Sequence, residues 1–164
     1  MSGDVTPLDD TSRPQLGGIV SNSRGVPSMR RMGRLNKAPL VSIVDDDGVV
    51  RGAIESLVTS LGFLACTFPS AEAFLQSPLV AETSCLISDV QLPDTSGVEL
   101  QHRLADLGLS IPTIFITAYP DDAVRARALE AGAVCFLHKP FDGQALIQCI
   151  DDALNRRGGK ITAE

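Results

Sequence analysis

The stretch Cys85–Leu100, which reads CLISDVQLPDTSGVEL, decides the fold of this chain of 164 residues. A short apolar run ends on Asp89, a loop containing proline and glycine follows, and Ser96-x-x-Glu99 then has the form of a capping box at the start of a helix. If the apolar run is a buried parallel strand, Asp89 lies at its carboxyl end, where α/β folds place their functional sites. We therefore take Asp89 as a candidate nucleophile and interpret the rest of the chain around it.

The same order of strand, loop and helix recurs along the chain. Short apolar runs predict five strands, and apolar residues at helical spacing with polar cap residues predict a helix after each one. The strands are expected at Leu40–Val44, Phe63–Phe68, Cys85–Ser88, Pro112–Thr117 and Val134–Leu137. This alternation predicts an α/β protein with a parallel sheet that is covered on both faces. We expect the flavodoxin-like (βα)5 doubly wound arrangement, with strand order 2-1-3-4-5.

The two ends of the chain differ in composition from its centre. Residues 1–37 carry six basic and three acidic residues and show no sustained period, so we expect a disordered, weakly basic extension. We expect one domain over residues 38–155 and a frayed tail over residues 156–164. Residues 38–164 carry eight basic and seventeen acidic residues, which argues against direct DNA binding. No apolar run approaches the roughly 18 residues of a membrane helix, and we expect a cytoplasmic protein without a membrane partner.

The four cysteines show no C-x-x-C pair, and three of them lie inside apolar runs; they are Cys66, Cys85, Cys135 and Cys149. We expect them to be small core residues in a reducing cytoplasm, because free cysteine behaves as a small buried hydrophobe and cytosolic disulfides are rare. A metal site or a disulfide framework is the alternative.

Ionisable or hydroxyl side chains lie at or just after the ends of four of the five predicted strands. These residues are Asp45, Asp46, Asp89, Thr117 and Lys139. The carboxyl ends of parallel strands share one edge of the sheet, and strands one and three are neighbours, so the three carboxylates should converge. Three carboxylates repel one another unless a cation compensates them, and hard oxygen ligands suit Mg²⁺.

A metal, a lysine and a hydroxyl directed at one carboxylate are the groups that phosphoryl transfer needs. In this interpretation Asp89 attacks phosphorus. Lys139 binds one phosphoryl oxygen as a point charge, and the Thr117 hydroxyl donates to another. The sequence therefore predicts a phosphoryl-acceptor site at the carboxyl edge of the sheet.

Over about Pro39–Asn155 these residues resemble the receiver domains of bacterial two-component response regulators. The resemblance rests on motifs in family order: Val44-Asp45-Asp46-Asp47, Asp89-x-x-Leu92-Pro93-x-x-Ser96-Gly97, Thr117-Ala118, Ala131-Gly132-Ala133 and Lys139-Pro140-Phe141. Ser70–Leu75 and Ser96–Leu100 look most like the FixJ-type branch. Typical members of that branch carry a C-terminal DNA-binding output domain, and only a polar tail follows Arg157. We expect either a single-domain receiver without an output domain or a truncated chain.

The resemblance implies a role for each residue of the metal site. Asp89 is the phosphoacceptor and, with Asp46 and the backbone carbonyl of Gln91, binds Mg²⁺ directly, whereas Asp45 acts through water. The resemblance also implies a cis peptide bond between Lys139 and Pro140, as is typical of the family.

The resemblance further implies how the signal leaves the site. Thr117 and Lys139 bind the phosphoryl group, and Thr117 and Phe136 act as switch residues. Gln91 and Tyr119 flank the phosphoryl group and tune its lifetime.

The expected partners also follow from the resemblance. A sensor histidine kinase or a histidine phosphotransfer protein donates the phosphoryl group. The face of the fourth helix, fifth strand and fifth helix then engages an output partner or forms a homodimer. Such a protein is a signalling phosphoacceptor rather than an enzyme, with at most slow self-phosphorylation and self-dephosphorylation.

A haloacid-dehalogenase-like phosphatase is the alternative function. Val44–Val49 also satisfies the D-x-D-G-[VT] pattern of that family, with Asp45 as nucleophile and Asp47 as general acid. This alternative leaves Asp89 and the Leu92-Pro93 loop unexplained, and the chain is short for that family.

Overall fold

The computed structural model describes residues 37–162, with the side chains of residues 37–156. The extension predicted for residues 1–37 therefore lies outside the described residues, apart from Lys37. Within the described part of the chain, the residues from Pro39 onward belong to one compact unit.

Five strands alternate with five helices, as the sequence predicts. The strands are β1 Leu40–Val44, β2 Leu64–Phe68, β3 Cys85–Asp89, β4 Thr113–Thr117 and β5 Cys135–His138. The helices are α1 Gly48–Ser60, α2 Ala71–Leu75, α3 Gly97–Asp106, α4 Asp122–Glu130 and α5 Gly143–Thr162. A 3₁₀ turn, Val80–Glu82, lies in the segment predicted as a loop between α2 and β3.

The strands form one parallel sheet in the order β2-β1-β3-β4-β5, which confirms the predicted flavodoxin-like arrangement. In the register of β1 and β3, Val44 lies opposite Ser88. The next residues along these two strands are Asp45 and Asp89, so both carboxylates reach the same edge of the sheet. This register is what assembles the site.

Side-chain caps fix the starts of the helices that follow this edge. Asp47 accepts from the backbone N–H groups of Val49 and Val50 at the start of α1, and Ser96 accepts from Glu99 N at the start of α3. These bonds satisfy backbone donors that have no partner inside a helix. Asp121 caps α4 in the same way, since it accepts from Ala123 N and Val124 N.

The core has a layer on each side of the sheet. On one side, α1 and α5 bury Ile54, Val58, Leu146 and Ile150 against alternate residues of β1, β3 and β4. On the other side, α2, α3 and α4 cover the remaining strand residues, such as Phe115. Successive side chains of a strand point to opposite faces, so strands with both faces covered are mostly apolar. A buried polar exception such as Ser88 has a hydrogen-bond partner, the carbonyl oxygen of Asp89.

Two of the cysteines are joined, which corrects the expectation that all four are unpaired core residues. Cys135 in β5 and Cys149 in α5 form a disulfide, with their Cα atoms 6.0 Å apart. The reason is tertiary, because α5 packs back across the sheet edge and brings its second turn to the start of β5. Among the described cysteines, Cys66 and Cys85 are free.

Helix α5 continues beyond Asn155, where the sequence analysis expected the domain to end. Its backbone is helical to Thr162, and residues 143–162 contain no proline that would end it. None of the helices in the described part of the chain is long and apolar enough to span a lipid bilayer.

Candidate functional site

Three carboxylates converge at the carboxyl ends of β1 and β3. One oxygen atom from each of Asp45, Asp46 and Asp89 lies within 4.8 Å of the other two. Asp45 is fully buried, Asp89 is 7% exposed and Asp46 faces solvent. The cluster is therefore open on the side of Asp46, as a site for an incoming ion or phosphoryl group must be.

Lys139 places its ammonium between the two buried acids. Its Nζ donates to Asp45 Oδ2 and to Asp89 Oδ2, each at 3.0 Å. The backbone N–H of Lys139 donates to the carbonyl oxygen of Thr117 at 2.7 Å, and the bond to Pro140 is cis. The lysine is therefore fixed at its backbone as well as at its ammonium, next to the end of β4.

Both buried acids are oriented in the same way by the loop that follows them. Asp45 Oδ1 accepts from Asp47 N at 2.9 Å, and Asp89 Oδ1 accepts from Gln91 N at 3.0 Å. An aspartate that bonds the backbone two residues on forms a local turn. Each carboxylate thus has one oxygen held by its own loop, while the other oxygen faces Lys139.

Burial and the neighbouring charges shift the pKa values of Asp45 and Lys139. Burial removes water from Asp45 and raises the pKa of its carboxyl group above the ordinary value, although bonds from Asp47 N and Lys139 oppose this rise. The nearby Asp89 raises that pKa further. Desolvation works to lower the pKa of Lys139, but the carboxylates of Asp45 and Asp89 outweigh it and raise that pKa. The carboxylates of Asp45 and Asp89 thus share one ammonium group.

Thr117 lies at the same edge but is not bonded to the acids. Its Oγ1 accepts from Tyr119 N at 3.0 Å and lies 3.3 Å from the carbonyl oxygen of Tyr119. The Thr117 side chain is fully buried, whereas the Tyr119 side chain is 69% exposed. The Thr117 hydroxyl is therefore hydrogen-bonded to the loop after β4 in this structure.

Gln91 follows Asp89 by two residues, and Phe136 lies in β5, three residues before Lys139. The Phe136 ring lies against Phe115, its register partner in β4, with the ring centroids 6.4 Å apart. Gln91 is exposed, and its backbone forms an isolated bridge with Ser96 at the start of α3. Both residues therefore contact elements that begin or end at the carboxyl edge of the sheet.

Asp94, near Asp89, was not singled out from the sequence, and Gly97 was named only as part of a motif. The carboxylate of Asp94 accepts from Glu72 N at 2.9 Å and from Ala71 N at 3.4 Å, which ties the loop after β3 to the start of α2. Desolvation works to raise the pKa of Asp94, but the backbone bonds together outweigh it and lower that pKa. Gly97 packs so closely that an added Cβ would come within 2.9 Å of the Phe115 ring.

Known proteins are similar to this chain in sequence and in fold. The model of the family described as response regulator receiver domain matches residues 41–151. The response regulator protein TmoT of Ectopseudomonas mendocina is 43% identical over 115 residues, which are 70% of this chain and 52% of TmoT. The transcriptional regulatory protein FixJ of Rhizobium meliloti is 41% identical over 113 residues, which are 69% of this chain and 55% of FixJ.

Solved structures give the same result. The response regulator StyR superposes with a TM-score of 0.71 at 40% identity, covering 77% of this chain and 64% of StyR. The structure called FixJ-N superposes with a TM-score of 0.66 at 40% identity, covering 73% of this chain and 96% of FixJ-N.

Fold and site together define an α/β signalling domain with an acidic pocket. The chain belongs to the response regulator receiver domain family of two-component systems. It spans about half the length of the curated relatives that it matches. The haloacid-dehalogenase alternative, with Asp45 as nucleophile, has no support in these comparisons.

Proposed function

We propose that this receiver domain takes a phosphoryl group onto Asp89 from a sensor histidine kinase or a histidine phosphotransfer protein. The observation that supports this most strongly is the bridge from the Lys139 ammonium to the carboxylates of Asp45 and Asp89. A cation held against one nearly buried carboxylate is suited to neutralise an incoming phosphoryl oxygen.

Several residues of this chain each have a separate role in the transfer. An Asp89 oxygen forms a bond to phosphorus as the bond from phosphorus to the donor's histidine nitrogen breaks. The ammonium of Lys139 binds a phosphoryl oxygen from its present position, and the Thr117 hydroxyl turns from Tyr119 to donate to another. The loop bond from Gln91 N keeps the Asp89 carboxylate oriented during the approach.

The acidic cluster fits Mg²⁺. Its donors are hard oxygen atoms that lie within 4.8 Å of one another. Burial raises the pKa of the Asp45 carboxyl group and the nearby Asp89 raises it further, so a cation bound here would stabilise the charged form. Asp46, Asp89 and the Gln91 carbonyl would hold the ion directly, and Asp45 would hold it through water. When bound, the ion neutralises charge that develops on the phosphoryl oxygens.

The signal leaves the site through α4, β5 and α5. Movement of Thr117 toward the phosphoryl group frees space at the end of β4, and Phe136 in β5 changes its position against Phe115 in response. The altered face engages an output partner or a second copy of the chain. The exposed Tyr119 and Gln91 flank the phosphoryl group and set how fast water removes it.

The remaining features of the proposal follow from this role. The domain acts in the cytoplasm, where kinases of this system deliver phosphoryl groups, and it spans about residues 38–155. It is a signalling phosphoacceptor whose self-phosphorylation by small donors and self-dephosphorylation are slow. No direct DNA binding is expected of the acidic body of this chain.

The experiment is phosphorylation of the full chain with acetyl phosphate and Mg²⁺, followed by intact mass measurement. The wild-type chain should gain the mass of one phosphoryl group, and Asp89→Asn should gain none. Asp106→Asn, which changes an exposed aspartate at the end of α3, is the matched control and should react like wild type. Equal uptake by Asp89→Asn would overturn the proposal.

A further inference from the structure

The Cys135–Cys149 pair ties the edge strand β5 to helix α5. Cys135 is the first residue of β5 and is partly exposed, whereas Cys149 lies in the second turn of α5 and is 5% exposed. We propose that Cys135 and Cys149 form a reversible thiol–disulfide switch that restrains the β5–α5 face. As a form of regulation of the phosphoacceptor site, this proposal rests on the proposed function.

The position of the link is what gives it a consequence for signalling. The disulfide closes a loop of sequence separation 14, and this loop contains both Phe136 and Lys139. β5 has a hydrogen-bonded neighbour on one side only, β4, so its other restraint is packing against helices. A covalent link from β5 to α5 therefore limits movement of the segment that carries the lysine and the switch aromatic.

Both cysteines of the disulfide lie next to fully buried residues. Leu146 and Ile150, which flank Cys149 on the buried side of the helix, are fully buried against the sheet. Cys135 lies opposite Ile114 in the register of β5 with β4, and Ile114 is also fully buried. Oxidation thus joins two positions in the packed part of the domain, and the loop that carries Lys139 lies between them.

The other two cysteines of the described chain are poorly placed to compete. Cys85 is fully buried in the central strand β3, and burial raises the pKa of its thiol to about 12, so it presents almost no thiolate. Cys66 lies in β2, at the opposite edge of the sheet from β5. Oxidation is therefore directed to one pair, and Cys66 provides an internal control.

The oxidant is a small disulfide of the glutathione class. The thiolate of the more accessible Cys135 attacks one sulfur of the oxidant, forming a mixed disulfide and releasing one thiolate. Cys149 loses its proton and attacks the mixed disulfide, which forms the Cys135–Cys149 bond and releases the second thiolate. The two cysteines lose two electrons and two protons in total, and the oxidant becomes two thiols. A reduced dithiol reverses both steps, as expected for the transient disulfides of a reducing compartment.

The first experiment tests formation of the bond. The reduced full chain is incubated with glutathione disulfide, its thiols are alkylated in denaturant, and its peptides are analysed by mass spectrometry. A peptide pair joined through Cys135 and Cys149, reversed by dithiothreitol, is expected in wild type and Cys66→Ser and absent in Cys149→Ser. The oxidised chain should melt about 5–10 °C higher than the reduced chain. Alkylation of both Cys135 and Cys149 after oxidation would overturn the proposal.

The second experiment tests the restraint on signalling. Reduced and oxidised samples receive acetyl phosphate and Mg²⁺, and each is divided between intact mass measurement and amide hydrogen exchange. We expect both samples to gain a phosphoryl group, but the change in exchange over α4, β5 and α5 to be at least twofold smaller in the oxidised sample. Equal changes with equal uptake would overturn the switch and leave the proposed function intact. Absence of uptake in both samples would overturn the proposed function, and the regulatory inference with it, while a bond already detected between the cysteines would stand.

Discussion

The Nζ atom of Lys139 lies 3.0 Å from Asp89 Oδ2, although fifty residues separate them in the chain. The contact is possible because β3 and β5 end at the same edge of the sheet, and Lys139 directly follows β5. It places a positive charge against the proposed nucleophile before any phosphoryl group arrives. The same ammonium bonds Asp45, so the site holds two buried acids with one cation.

Replacement of Lys139 by methionine should lower the free energy of unfolding at pH 7 by about 1–2 kcal/mol. The change leaves two carboxylates without their cation, and partial solvent screening keeps the cost below that of a fully buried pair. Urea denaturation followed by circular dichroism measures the difference. Phosphoryl uptake at Asp89 should be slower than in wild type, because the phosphoryl oxygen loses the cation that neutralises it.

The difference in the free energy of unfolding between wild type and Lys139→Met should change with pH in a definite direction. The folded-state pKa of Lys139 is raised above the ordinary value of 10.5, so its stabilisation is fully present below 10.5. It is lost as the pH rises through the folded-state pKa. The stability difference between wild type and Lys139→Met should therefore be constant from pH 7 to pH 9 and smaller above pH 10.5. A difference that grows above this pH would contradict the assigned ion pairs.

Mg²⁺ should stabilise the folded chain. At an ion concentration about one hundred times the dissociation constant, the gain is about 2.7 kcal/mol for one site that forms only on folding. Asp46→Asn removes a solvent-facing ligand without emptying buried space, so it should fold normally but show much less stabilisation. Thermal denaturation with and without the ion measures both effects, and Asp106→Asn serves as the control. Identical Mg²⁺ responses of wild type and Asp46→Asn would contradict the metal site.

Gly97 is required by the packing around Asp89. A Cβ at this position would lie 2.9 Å from the Phe115 ring and 3.0 Å from Ser88 Oγ, so Gly97→Ala should cost about 1–3 kcal/mol in stability. Gly52→Ala is the matched control, because nothing lies within 4 Å of its Cβ position in α1. That variant should gain about 0.5–1 kcal/mol from helix propensity. Equal effects of the two substitutions would show that packing at Gly97 does not matter.

Asp94 should contribute a small, acid-sensitive stabilisation. Its folded-state pKa is lowered from 3.8 by the backbone donors of Glu72 and Ala71. The stabilisation is therefore present above 3.8 and is lost as the pH falls through the lowered value. Asp94→Asn should lower stability by about 0.5 kcal/mol at pH 6, since the group is exposed and screened. The two chains should become equally stable near pH 2; a persistent gap there would contradict this account.

The fold was predictable because its signals are local. Apolar runs, helix caps such as Asp47 and Ser96, and the alternation of strands and helices each lie within a few residues. The convergence of Asp45 and Asp89 followed from topology, since the carboxyl ends of parallel strands share an edge. The family resemblance added the cis bond between Lys139 and Pro140, which the structure confirms. The ion pairs of Lys139 with Asp45 and Asp89 were not predicted.

The features that sequence analysis missed depend on contacts between distant segments. The bond from Asp94 to the start of α2 joins residues 22 apart through two loops, and no local pattern marks it. The Cys135–Cys149 bond depends on how α5 packs against β5, and a spacing of 14 residues carries no signal by itself. The rotation of the Thr117 hydroxyl toward Tyr119 likewise depends on the fold of one loop.

The most direct measurement of the central claim locates the phosphoryl group on the chain. After treatment with acetyl phosphate and Mg²⁺, borohydride reduces an aspartyl phosphate to homoserine, and peptide sequencing by mass spectrometry finds the converted position. We predict conversion at position 89 alone. Conversion at position 45, or at neither position while the intact mass still shows one added phosphoryl group, would contradict the assignment of Asp89 as the phosphoacceptor.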